Sequence, residues 1–74
     1  MSVARITEIS STSTKSFEDA IKQGVERATQ TLRGVQSAWI KEQTVRLKDN
    51  QVAEYQVNMM ITFILDGADT TPGG

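Results

Sequence analysis

Two residues of this chain are equipped to hold a planar heterocycle. One is Trp39, in S-A-W-I-K-E-Q, and the other is Gln56, in Y-Q-V-N. An indole offers a flat, polarisable face on which another ring stacks. A glutamine amide carries donors and an acceptor in one plane, which suits the edge of a heterocycle. Each residue also has a plainer use. Trp39 can be core or interface packing, and Gln56 can be a cross-strand or inter-subunit hydrogen bond. The residue types alone leave both uses open.

Other chemistry is scarce. The chain has no histidine and no cysteine. That removes imidazole acid–base catalysis, thiol nucleophiles, zinc–thiolate sites and disulfides. There is no G-x-G-x-x-G, no P-loop and no H-E-x-x-H. Glu18 and Asp19 fall where a helix begins, and there they serve as cap and dipole complement. Glu42 lies beside Lys41 on a strand and reads as half of an ion pair. An oxygen-only calcium or magnesium site could be assembled across subunits, although no loop has the D-x-D-x-D pattern. The chain therefore reads as a binding protein, not an enzyme.

The totals narrow the partners. Eight basic and nine acidic residues give a net charge of −1. Such a balance makes no electrostatic case for nucleic acid or an anionic membrane. The N-terminus M-S-V-A-R-I-T-E has no apolar signal core, and the longest apolar run, M-M-I-T-F-I-L, is too short to span a bilayer. A soluble, cytoplasmic protein is expected.

Positioning Trp39 and Gln56 falls to four elements. Residues 2–9, with Val3, Ile6 and Ile9, alternate as a strand, and S-S-T-S-T-K-S follows as a polar loop. Ser16 with Asp19 three positions later resembles a capping box. A helix is expected from Phe17 to Arg33, because Phe17, Ala20, Ile21, Gly24, Val25, Ala28 and Leu32 form one stripe. Gly34 is its expected stop. Val35 to Lys48 reads as a long strand, K-D-N-Q as a hairpin turn, and Val52 to Leu65 as the last strand. On that strand Tyr55, Val57, Met59, Ile61, Phe63 and Leu65 share one face, and Gln56, Asn58, Met60, Thr62 and Ile64 share the other. Residues 1–66 form one domain, and 67–74 a flexible C-terminal tail.

Length makes this arrangement hard to complete alone. Strands of about fourteen residues run roughly 45 Å, whereas a helix of about 17 residues spans roughly 25 Å. One helix covers one sheet face, and only part of its length. The other face carries Met60 and Ile64 with no cover of its own. A bare sheet with open edges invites association, so a homo-oligomer is expected.

The same residues resemble the dodecin family. The likeness runs over residues 3–66 and rests on V-A-R-I-T-E-I, S-x-x-S-F-E-D-A-I from Ser13 to Ile21, T-L-R from Thr31 to Arg33, and Y-Q-V…F-x-L-D from Tyr55 to Asp66. The order and spacing of these segments carry the resemblance. It implies an α+β fold, β-α-β-β, with a three-stranded antiparallel sheet wrapped around one helix. It implies a hollow homododecamer that stores flavin (riboflavin, FMN or FAD) without catalysis. Some members bind coenzyme A, and a subset without the flavin-stacking tryptophan is linked to calcium. Gapless placement puts the flavin-contacting glutamine on Gln56. It puts the stacking tryptophan on Ser37, so Trp39 stands two positions later. Two residues keep the same strand face but move the ring about 6.6 Å. Val35 to Gln43 looks close to the subset without that tryptophan.

Overall fold

The computed structural model describes residues 3–65. Four elements follow in the expected order: β1 (Ala4–Ser13), α1 (Phe17–Thr31), β2 (Val35–Lys48) and β3 (Gln51–Ile64). The sheet order is β1-β3-β2, with β3 central and antiparallel to both neighbours.

Strand β1 is longer than its apolar residues suggest. It continues through Ser10, Ser11, Thr12 and Ser13, which pair with Asn58, Val57, Gln56 and Tyr55. The backbone ladder that β3 offers outweighs side-chain polarity, since an unpaired backbone group beneath the helix would lack a partner. Small side chains also suit this stretch, because Ser11 lies under the helix at Gly24.

The β1–α1 corner is held by a clasp in place of the expected capping box. The Asp19 backbone N–H donates to Ser16 Oγ at 2.9 Å, as an N-cap requires. The reciprocal half is missing. The Asp19 carboxylate instead accepts from Ser13 Oγ at 2.6 Å and from Gln23 Nε2 at 2.6 Å. Ser13 Oγ also accepts from the Lys15 N–H at 2.9 Å, which ties the strand end to the helix start. The Ser13 hydrogen bond, then that of Gln23, holds the Asp19 carboxyl below its ordinary value of 3.8, with Lys15 and Lys22 adding to the effect.

The helix ends at Thr31, two residues before the expected Arg33. Leu32 is already extended, and its N–H donates to Ala28 O at 2.8 Å. Gly34 is thus not the helix cap. With φ of +68° it turns the chain into β2, and its carbonyl accepts from Ile64 N at 3.0 Å. A Cβ there would lie 3.1 Å from Ile64 O. Asp49 and Asn50, with φ of 52° and 63°, close the β2–β3 hairpin in a two-residue loop of the type that needs positive φ twice.

The core sits between α1 and the inner face of the sheet. Val57, Met59 and Ile61 are completely buried there against Ala20 and Ala28. Gly24 permits the close approach, since a side chain would run into Met59 and Ser11. Phe17 and Tyr55 close one end edge-to-face, with ring centroids 5.1 Å apart. The alternation read from Tyr55 to Phe63 therefore holds, while the strand runs from Gln51 to Ile64 and ends one residue before the expected Leu65. The molecule measures 57 × 18 × 13 Å. Fifteen helical residues span only about 22 Å. Most of β2 is left uncovered, and Val45, Leu47 and Val52 stand exposed on the far hairpin.

Candidate functional site

Trp39, Ser37 and Gln56 all lie on the outer face, away from the helix. Cross-strand partners point to the same side of a sheet. Trp39 pairs with Met60, Ser37 with Thr62, and Thr44 with Gln56, and the even-numbered residues of β3 face outward. Ser37 and Trp39 thus face outward in the first part of β2, beyond a shift that leaves Val35 against the core, and Glu42, Thr44 and Arg46 face outward further on. The switch is a register shift between Ile40 and Glu42, which leaves Lys41 outside the pairing. Lys41 Nζ reaches across to Glu8 Oε1 at 3.4 Å. Both groups are well exposed, so the pair contributes little.

Two zones divide this face. One is apolar. Trp39 and Ile6 are each 52% exposed. Their β3 partners, Met60 and Thr62, are adjacent outward positions. The other zone is a polar chain of hydrogen bonds centred on half-buried Gln56. Arg46 Nη2 donates to Gln56 Oε1 at 2.8 Å. Gln56 Nε2 donates to Ser10 Oγ at 3.1 Å and to Asn58 Oδ1 at 3.3 Å. Arg46 Nε lies 3.4 Å from Glu54 Oε1. The network crosses all three strands.

The zones do not merge within one chain. From Gln56 to Met60, beside Trp39, is about 13 Å along the strand. Ring contacts have centroids about 4.5–7 Å apart. Ser37, beside Thr62, lies a further pair of residues away. Of the two candidate stacking positions, Trp39 is the one nearer Gln56. Arg46 was not legible as a site residue. Alternation counted from Trp39 puts it on the inner face, and the register shift reverses that.

The helix side offers a different feature, an open groove of about 730 Å³ between β1 and α1, bordered by Thr7, Ile9, Gln23, Arg27 and Thr31. It contains none of the three predicted residues. Among the described residues, no group of three carboxylates converges closely enough to hold a metal ion. No helix among them is long and apolar enough to cross a membrane.

Fold and surface together define a small α+β protein with one face closed by its helix and one face open. The chain belongs to the dodecin family, whose model matches residues 3–66. It is similar to the dodecin from Streptomyces davaonensis, with 37% identity over 88% of this chain and 96% of that one, at a TM-score of 0.84. The dodecin from Streptomyces coelicolor is 33% identical over 86% of this chain and 91% of that one, at 0.82. A calcium dodecin from Mycobacterium tuberculosis shares the fold at 24% identity, over 96% of this chain and 99% of that one, with a TM-score of 0.77. No curated protein sequence matches the chain.

Proposed function

We propose that this chain is a non-catalytic dodecin that sequesters flavin, as riboflavin, FMN or FAD, between copies of itself in a homododecamer. The observation that carries this reading is Trp39. It is 52% exposed on a face that no other described residue of the chain covers over. An exposed indole on an open sheet is a stacking surface awaiting a partner ring or a partner chain. Gln56 on the same face supplies hydrogen-bonding capacity for a heterocycle's edge. Because about 13 Å separates the two along β3, the ring and the amide would come from different copies. Ser37 then gives room beside the ring and takes no part in stacking.

Titration of FMN with purified protein tests the reading. Strong quenching of flavin fluorescence at micromolar protein is expected, with a particle much larger than 8.2 kDa by light scattering. A monomer would sink the assembly. Unchanged fluorescence with a retained assembly would sink flavin binding. It would favour the second reading, which Ser37 supports: a flavin-free dodecin that binds calcium or coenzyme A. Calcium would then need ligands from several copies, and titration with calcium alone would raise the melting temperature.

A further inference from the structure

The Gln56 amide is held in one orientation, and the reason is chemical. A guanidinium can only donate, so the atom facing Arg46 Nη2 at 2.8 Å must be the carbonyl Oε1. Nε2 is thereby turned toward Ser10 Oγ and Asn58 Oδ1, at 3.1 and 3.3 Å. Both amide hydrogens are engaged. What Gln56 retains is the second lone pair of Oε1. Arg46 keeps N–H groups beyond those directed at Gln56 and Glu54, on a side chain that is 61% exposed. The pair therefore presents an acceptor with a donor beside it.

We infer that Arg46 is a positioning and specificity residue that, with Gln56, reads an imide edge. This inference rests on the flavin reading above. In an imide a ring N–H lies between two carbonyls. The N–H donates to Gln56 Oε1 while a neighbouring carbonyl accepts from Arg46. Hydrogen bonds that involve a charged partner are the stronger kind, and Arg46 supplies one to the ligand and one to the amide. Without Arg46 the amide is free to turn over and present N–H groups to an N–H. Glu54 also steadies the guanidinium, through Nε at 3.4 Å.

The test compares FMN with its N3-methyl derivative, which lacks the imide hydrogen. Wild-type protein is expected to bind FMN at least about tenfold more tightly than the methylated form. Arg46→Met should remove most of that discrimination, and Arg46→Lys should restore part of it, since an ammonium also only donates. Glu54→Gln, which leaves Arg46 in place, should have a smaller effect in the same direction. Equal discrimination by wild type and Arg46→Met overturns the proposal. A second readout needs no ligand. The Gln56 side-chain amide protons should exchange slowly in wild type and faster in Arg46→Met by NMR. Unchanged exchange overturns the positioning role even if flavin binds. Failure of wild type to quench FMN overturns the flavin reading and the imide edge together, while the amide protons still report whether Arg46 holds Gln56.

Discussion

The two faces of β3 use one strand for opposite ends. Val57, Met59 and Ile61 point inward and are completely buried against the helix. Gln56, Asn58 and Met60 point outward, and no other element among the described residues lies over them. Inside, small residues on the helix bring it close, and burial supplies the stability. Outside, the strand carries a polar network at one position and a half-exposed ring beside another. A period of two lets one strand hold a fold together and keep a surface for others, because neighbouring side chains never share a side. The inner face answers to volume, and the outer face to chemistry.

Substitutions break this contrast in graded steps. Met59→Ala should cost the most, about 2–5 kcal/mol, because it opens a cavity in a core of few large side chains. Urea unfolding at fixed protein concentration reads it, and a loss below 1 kcal/mol would mean that the helix does not pack as described. Gly24→Leu comes next, at about 1–3 kcal/mol, since the added side chain meets Met59 and Ser11. On the outer face Trp39→Ala should weaken FMN quenching about tenfold, or about 1.4 kcal/mol, through lost stacking. Its effect on unfolding should stay within about 0.5 kcal/mol. Tight FMN binding by that variant would make the ring structural.

The smallest step probes the corner that joins the faces. Ser13→Ala removes a buried hydroxyl that donates to Asp19 and accepts from Lys15, and should cost about 1 kcal/mol. It should also change the acid limb of stability. Asp19 titrates below its ordinary 3.8 in the folded chain, so its contribution is complete above that value and is lost as pH falls further. In Ser13→Ala, stability should fall less steeply on acidification below pH 3.8 than in wild type. An unchanged slope would show that Ser13 does not hold the carboxylate.

Much of the fold was legible because its signals are local. Alternation along β3, the stripe of Phe17, Ala20, Gly24 and Ala28, and the Asp49–Asn50 turn each depend on neighbours in sequence. What was missed depends on neighbours in space. Ser10 to Ser13 look like a loop until β3 lies beside them. Gly34 looks like a helix cap until its carbonyl meets Ile64 N. Arg46 looks inward-facing until the irregularity near Lys41 changes the parity of β2.

By itself the sequence determined the absence of histidine and cysteine chemistry, the order of the elements and the face that would be buried, and it singled out the two residues proposed to meet a heterocycle. Its composition and short-range periods suffice for that, since both are set by residue type and by the repeat of each backbone conformation. Only the tertiary structure decided that Trp39 and Gln56 share the open face yet lie about 13 Å apart along β3. It alone brought Arg46 to the Gln56 carbonyl. Register between strands fixes both, and register is a property of the pairing, which no single strand contains.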